Sequence, residues 1–384
     1  MPKYRIAWMP GDGVGHDVMR AARIVLDRLR LDAEYVPADI GWEFWINEGN
    51  PLPDRTIETL RKTDCALFGA ITSKPREEAA EELSPALRGR GLSYFSPIVR
   101  LRQLFDLHTN VRPCRAFPGN PLNRLGDDID LVVFRENTEG MYGGIEWFPL
   151  PEKVAAAMAD AEVGHPARME RWYAKGLENV ALSTRVMSRQ GCESICRGAF
   201  DHARTHGHGS VTLIEKPNVL RETGGLMTRV FREVAAGYPG VEAWEANIDA
   251  ICMWMLKNPR DYSVLVAENM FGDIVSDLCA GLVGGLGFAP AANIGDTYAV
   301  FEPTHGSAPK YAGRDVVNPI AMLLTVRMML DWLGEADMAG RLEAAVASVV
   351  AAGEVRTYDM AQVRAGSAGA ASTTAMAEAV ADRL

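Results

Sequence analysis

Two rhythms of apolar residues alternate along the chain. Short apolar runs ending on polar residues give way to stretches whose apolar positions fall three and four apart, the spacing of one helix face. Arg5 to Met9 predicts a short buried strand, broken by Gly-Asp-Gly-Val-Gly. His16 to Arg30 then predicts a helix, with Val18, Ala21, Ala22, Val25, Leu26 and Leu29 on one side. A second strand is expected over Ala33–Pro37, a helix over Thr56–Lys62 and a strand over CALFGAI. Further strands are read in DLVVFREN, NVALSTRV, SVTLIEK and YSVLVAEN. Helices are expected at Asn318–Trp332, Met338–Ala352 and Ala370–Leu384. GRGLSYFSP and the stretch Pro149–Arg168 follow neither rhythm and read as loop or arm. The alternation predicts an α/β fold with largely parallel strands. In such sheets ligand groups collect at the carboxyl ends of strands.

Composition narrows the possibilities. With 384 residues, 48% of them hydrophobic, the chain has material for two core-bearing lobes. A net charge of −10 argues against nucleic acid as a partner. No apolar run nears the ~20 residues that span a bilayer, so no membrane partner is expected. The opening MPKYRIAWMPGDG lacks the apolar core of a signal peptide. Six cysteines, at 65, 114, 192, 196, 252 and 279, form no CxxC pair and read as reduced thiols in a cytoplasmic protein. Cys192 and Cys196 are expected one helical turn apart.

The segment NMFGDIVSDLCAGLVGGLG carries the strongest chemistry. Asp273 and Asp277 lie four apart, so their carboxylates share one helix face. Favourable placement near a helix N-terminus is one explanation. The other is a hard divalent cation, Mg²⁺ or Mn²⁺, held between them. Asp249, in ANIDAICMW, is a candidate third ligand. Arg102, Arg112 and Arg135 would suit a di- or tricarboxylate if they converged, because guanidinium grips carboxylate with two bonds. Lys216 follows the apolar VTLI and could exchange protons; Tyr142, in NTEGMYGG, is a possible acid partner. Taken alone, both are better read as structural. GDGVG is not GxGxxG, so the usual dinucleotide fingerprint is missing. HGSAPKYAG, from His305 to Gly313, is a second small-residue loop.

Together PGDGVGHDV, FRENTEGMYGGIEW, EKPNV, NMFGDIVSDLCAGLVGGLGFAPAANIG and FEPTHGSAPKYAG resemble the isocitrate/isopropylmalate dehydrogenase family of decarboxylating β-hydroxyacid dehydrogenases. The resemblance covers nearly the whole chain. It implies two α/β lobes around a central cleft, distinct from the Rossmann fold. The large cofactor-binding lobe would be 1–107 plus 284–384, and the small lobe, with a dimerisation arm, 108–283. It further implies a homodimer with shared active sites, Lys216 and Asp249 reaching into the partner's site. By the same resemblance Arg102, Arg112 and Arg135 hold the malate carboxylates, Tyr142 and Lys216 form the acid/base pair, and Asp249, Asp273 and Asp277 bind Mg²⁺ or Mn²⁺.

The resemblance also sorts cofactor and substrate. His305, Gly306, Ser307, Ala308, Lys310, Tyr311, Val317, Asn318 and Tyr358 are expected around the cofactor. Lys310 and Tyr311 are similar to the pair in NADP-dependent isocitrate dehydrogenases, so NADP is preferred to NAD, although Gln362 departs from that pattern. Thr72, Ser96 and Ile98 are expected near the substrate. Ser96 matches the serine that meets the distal carboxylate of isocitrate; Ile98 stands where an asparagine is usual. SPIVRLR is similar to homoisocitrate dehydrogenases. Lys74, Arg88, Arg90 and Arg100 make the neighbourhood basic, favouring an anionic side group over the isopropyl of isopropylmalate; a phosphonate is a further candidate. Two rival readings are a non-catalytic regulatory subunit, which would typically have lost one of the catalytic residues, and a simple nucleotide-binding module, which leaves the aspartates and arginines unexplained.

Overall fold

The computed structural model describes residues 2–160 and 166–384. Its strands are β1 (Tyr4–Gly11), β2 (Ala33–Pro37), β3 (Cys65–Ala70), β4 (Thr109–Arg115), β5 (Asp130–Glu136), β6 (Glu146–Trp147), β7 (Leu182–Ser183), β8 (Ser210–Glu215), β9 (Glu242–Asn247), β10 (Val264–Ala267), β11 (Pro290–Ile294) and β12 (Ala299–Pro303). Ten of them build one twisted sheet in the order β2-β1-β3-β12-β11-β4-β5-β10-β8-β9, while β6 and β7 form a separate ribbon. Pairing is parallel on both flanks. The centre is antiparallel, where β11 lies between β12 and β4, and β4 pairs with β5. The α/β reading with mostly parallel strands therefore holds, with an antiparallel seam that apolar runs alone do not announce.

Each face of the sheet is covered by helices whose apolar stripes fit it. The helix Gly15–Leu29 buries Val18, Ala21, Ala22, Val25, Leu26 and Leu29, the residues its spacing predicts. It packs with the helices Ile320–Trp332 and Ala336–Ala352 in a core that includes Ile6, Leu67 and Phe301. A second core, with Phe134, Phe200 and Phe231, lies against the helices Arg189–His206 and Thr223–Ala235. A third, with Val133, Leu265 and Val275, lies under the helix Asn269–Leu282. Helix ends differ from the expected ones by two or three residues, as at Asp54–Leu60, Ile320–Trp332 and Thr373–Ala381. The last begins where Ser372 Oγ accepts the amide of Ala375 at 3.1 Å, a side-chain cap.

Two expectations need correction. NVALSTRV is not a core strand. Leu182–Ser183 pairs with Glu146–Trp147 and Val186 forms a single bridge to Gly140, neither of them in the main sheet, and Val186 is 51% exposed; the segment alternates like a strand but its apolar side chains enter none of the cores. The stretch from Pro149 is not all loop either, since Glu152–Asp160 and Pro166–Tyr173 are helical. The alanine-rich run at 155–157 favours helix by propensity. Residues 161–165 of that stretch lie outside the described residues. Cys192 and Cys196 sit buried one turn apart in the helix Arg189–His206, and all six thiols are free. Among the described residues, no helix is long and apolar enough to cross a membrane.

One packing detail predicts a pH response. His202 is stacked 3.9 Å from His206 and 5.5 Å from His208, centroid to centroid, and packs against Phe134. Burial, aided by the two other histidines and Arg327, pushes its imidazole down to about 4. Between pH 6.5, where an ordinary histidine titrates, and about 4, the unfolded chain holds a proton that the folded chain refuses. Stability should therefore be lost as pH falls through this window, by about 1–2 kcal/mol after solvent screening. His202→Gln should flatten the decline of Tm between pH 7 and 4; an unchanged slope would mean that His202 is not its source.

Candidate active site

The site assembles where the antiparallel seam meets the helix Asn269–Leu282. Arg112 lies on β4, Arg135 on the neighbouring β5, and Arg102 in the last turn of the helix Pro97–Leu104. All three are buried, at 7%, 1% and 6% exposure, so none is a surface arginine. Asp273 and Asp277 descend over β4 and β5 from the helix, which can approach because residue 272 is glycine. A Cβ there would lie 2.7 Å from Cγ of Arg135.

Asp273 is the hub. Its Oδ1 accepts from Arg135 and lies 3.1 Å from Nη1 of Arg112. Its Oδ2 accepts the Tyr142 hydroxyl at 2.7 Å. Arg112 also donates to Ser276 Oγ at 2.8 Å and reaches Asp277 Oδ1 at 3.4 Å. Arg135 places its guanidinium 5.0 Å from the Tyr142 ring centroid and donates twice to Asn269 Oδ1. Arg102 joins through a buried polar chain. Its Nη2 donates to Glu302 at 3.1 Å, Asn293 donates to the same oxygen at 2.8 Å, Asn110 donates to Asn293 at 2.9 Å, and Arg112 Nε donates to Asn110 at 2.7 Å. Among the described residues, Arg102 Nε has no hydrogen-bond partner.

The electrostatics follow from crowding charge into a half-dry site. Burial, reinforced by Arg112 and Arg102, pushes Arg135 down to about 9. Burial works against ionised Asp273, but the surrounding arginines outweigh it and hold that carboxyl below its usual range. Asp277 is shifted the other way, by burial and by the Asp273 charge, with Arg112 only partly compensating. Tyr142 is raised by burial and then by its bond to Asp273, which keeps the phenol protonated. Two carboxylates facing one space, the outer one short of counter-charge, form a hard-oxygen donor set that fits a divalent cation.

Lys216 and Asp249 stand apart from this cluster. Lys216, just beyond β8, pairs with Asp249 at the start of the helix Ile248–Lys257. Among the described residues no three His, Cys, Asp or Glu side chains are placed to hold a metal within one chain. Ser96 heads the Arg102 helix but makes no capping bond. Ile98 is buried in the core with Ala7, Phe68 and Leu101, one turn before Arg102 on the same helix. Of the basic neighbours, Lys74 is paired with Glu82, so its charge is already spent.

A cavity of about 330 Å³ gathers His305, Gly306, Ala308, Tyr311, Val317, Asn318 and Tyr358. The rings of Tyr311 and Tyr358 lie 5.6 Å apart, and Asn318 donates to Asp359 at 3.0 Å. Lys310 flanks it with Nζ 4.7 Å from the Tyr311 ring. Ser307 is turned inward, its Oγ 2.6 Å from Thr72 Oγ1 and its carbonyl accepting the amide of Val14 at 2.8 Å. GDGVG thus packs against the HGSAP loop, and a Cβ on Gly13 would lie 2.1 Å from that carbonyl. Sequence reasoning missed Leu122, Asp359 and Gly284–Gly287, which also line the cavity; the Gly-Gly-Leu-Gly run was the available signal. A separate hollow of about 260 Å³, lined by Arg115, His202, His206, His208 and Arg327 among others, shares no residue with the Asp273 cluster.

Comparison with known proteins identifies the family. Residues 5–380 match the family model for isocitrate/isopropylmalate dehydrogenase. The chain is 40% identical over 376 residues to protein DlpA of Legionella pneumophila, covering 98% of this chain but only 58% of that protein. It is 39% identical over 381 residues to the isocitrate/homoisocitrate dehydrogenase of Thermus thermophilus, covering 99% and 98% of the two chains. The crystal structure of isocitrate dehydrogenase from Methylococcus capsulatus superposes with a TM-score of 0.84 at 36% identity, covering 99% of both chains. The protein is a decarboxylating dehydrogenase. It belongs to the isocitrate/isopropylmalate dehydrogenase family, whose members use NAD or NADP and a divalent metal.

Proposed function

We propose that this enzyme oxidises and decarboxylates a malate with an anionic 3-substituent, isocitrate or homoisocitrate first, using NADP or NAD with Mg²⁺ or Mn²⁺. The observation that carries the proposal is the convergence of three buried arginines on the Asp273 cluster. Substrate carboxylates would take guanidinium donors, the unpartnered Nε of Arg102 among them. Asp273 and Asp277 would hold the divalent ion, joined by Asp249 from a second copy. Bound there, the ion would supply positive charge to the oxygens of the reacting carbons, and a nicotinamide held in the cavity of Tyr311, Asn318 and Tyr358 would supply the hydride acceptor.

The protein's own groups handle protons and orientation. Lys216 of the copy that brings Asp249, once its ammonium has given up a proton to water, would take the proton of the C2 hydroxyl as the hydride leaves C2. Carbon dioxide then departs with loss of its bond to C3, and the Tyr142 hydroxyl, held by Asp273, returns a proton to C3. Support for a second copy comes from the helices Ile248–Lys257 and Asn269–Leu282. They leave Met253, Leu256 and Ile274 about half exposed, at 45%, 56% and 52%. The same helices carry Asp249 and the Asp273–Asp277 pair, so a copy seated there would complete both sites. The lobes 1–107 with 284–384 and 108–283 would then close over the substrate; the separation of the hydrophobic cores supports that division.

The test is reduced-nicotinamide absorbance with Mn²⁺, NADP or NAD, and isocitrate, homoisocitrate or 3-isopropylmalate. An anion-selective site should favour one of the first two by at least about tenfold in kcat/KM. Preference for 3-isopropylmalate would overturn the anionic side group, and silence on all three would move the search to other 3-substituted malates.

A further inference from the structure

A buried ion cluster outside the reacting groups ties the catalytic elements together. Arg185 follows the β6–β7 ribbon, and its side chain is only 8% exposed. Its Nη2 donates to Glu215 Oε2 at 2.7 Å and its Nη1 to Thr223 Oγ1 at 3.1 Å. Its Nε lies 3.6 Å from Glu268 Oε2, and its guanidinium sits 5.2 Å from the Phe271 ring centroid. Both carboxylates are 1% exposed. Among the described residues, Arg185 is the one cation paired with either.

Each partner holds a different piece of the site. Glu215 ends β8, and its Oε1 accepts the backbone amide of Lys216 at 2.9 Å, fixing the start of the lysine's loop. Glu268 caps the helix that carries Asp273 and Asp277, its Oε1 accepting the amide of Phe271 at 2.8 Å. The residue after Arg185 completes the set. Val186 pairs with Gly140, accepting its amide at 2.8 Å, two positions before Tyr142. Gly140 is also pressed against Glu268, since a Cβ there would lie 2.9 Å from Oε2. The loop containing Arg185 therefore touches the elements bearing Tyr142, Lys216 and the two aspartates, yet Arg185 contacts none of those four side chains.

From this geometry we propose that Arg185 is a positioning residue, a buried clamp that sets Lys216 and the Asp273–Asp277 helix in mutual register. The guanidinium hydrogen-bonds Glu215 and holds Glu268 by charge alone, since among the described residues neither Arg185 Nε nor Glu268 Oε2 has a hydrogen-bond partner; without it two buried carboxylates lose their counter-charge, and a lysine ammonium lacks the planar reach to serve both. The inference rests on the proposed roles of Lys216 and the aspartates. If sites are shared between copies, each Arg185 links the metal-binding helix of one site to the lysine serving the other.

The experiment uses the full-length protein in four forms: Arg185→Lys, Arg185→Met, the double variant Arg185→Met/Glu268→Gln, and Lys216→Met as control. The double variant removes one carboxylate with the cation while keeping an amide oxygen for the cap, so it guards against simple failure to fold. For correctly folded protein, judged by circular dichroism and Tm, a clamp predicts that both Met-containing variants lose about 10–100-fold in kcat. Mn²⁺ affinity, read by calorimetry without substrate, should weaken by about tenfold or more, and Arg185→Lys should recover part of each loss. A purely structural arginine would lower Tm and yield but leave kcat, KM and Mn²⁺ affinity per folded molecule at wild-type values, and that result overturns the proposal. Lys216→Met separates the two ideas: an active Lys216→Met defeats the reading of the site, whereas an inactive one beside wild-type Arg185 variants defeats the clamp alone.

Discussion

Asp273→Asn is expected to cut turnover by about 10³-fold and to destabilise the fold by about 2–3 kcal/mol. Asparagine keeps the shape and one acceptor, which can still serve Arg135 and Arg112. Its amide nitrogen then faces the Tyr142 hydroxyl, reversing the donor of that bond, so the phenol is no longer presented as an acid. The negative charge that balances the nearly inaccessible Arg135 disappears at the same time, leaving a buried cation without a counter-ion. Asp273 is one-third exposed, so water relieves some of the cost, and the stability figure sits below that of a fully buried pair. Turnover and thermal melting on the same preparation would check both halves. Activity within tenfold of wild type would remove Asp273 from the centre of the site.

Lys216→Met should be nearly as damaging to turnover, by about 10²–10⁴-fold, with very little effect on Tm. Lys216 follows a strand whose side chains are buried throughout, but its ammonium meets Asp249, whose side chain is 68% exposed. That ion pair holds the Asp249 carboxyl below its usual range, yet both groups stay near water, where pairing adds little to stability. The contrast distinguishes this variant from the aspartate one. A large fall in Tm would show that Lys216 acts mainly as scaffolding.

Much of the framework was legible because burial leaves a periodic trace. DLVVFREN and YSVLVAEN became β5 and β10, and the stripe from Val18 to Leu29 became a buried helix face. Elements without an apolar trace were lost. EAWEAN forms the edge strand β9, largely exposed, and the short β11 and β12 that create the antiparallel seam carry no long apolar run. The site divides in the same way. Asp273 and Asp277 could be paired from spacing because a helix brings residues four apart together. Arg112 and Asp277 are 165 positions apart, and only the sheet brings them together; the resemblance to a family supplied what spacing could not. Ile98, singled out for specificity, lies 7% exposed in the core, one turn before Arg102. Arg185, Glu215 and Glu268 left no trace, since a charged residue in a strand-like or loop segment reads as solvent-facing until its neighbours are known.

The pairing of β3 with β12 has a consequence for how the protein is made. These strands join directly, Ala66 opposite Val300 and Leu67 opposite Phe301, although the ribosome delivers them far apart in time. At about 5–20 residues per second, roughly 10–50 s separate their synthesis. During that interval β3 presents an unpaired edge with six buried-type residues, the kind of edge that recruits other strands. The middle of the chain, complete before β11 emerges, can meanwhile pair β5, β10, β8 and β9 among themselves. Newborn chains should therefore depend on chaperones for the first segment more than for the middle one, and a ribosome stalled before β12 would hold the half most prone to aggregate.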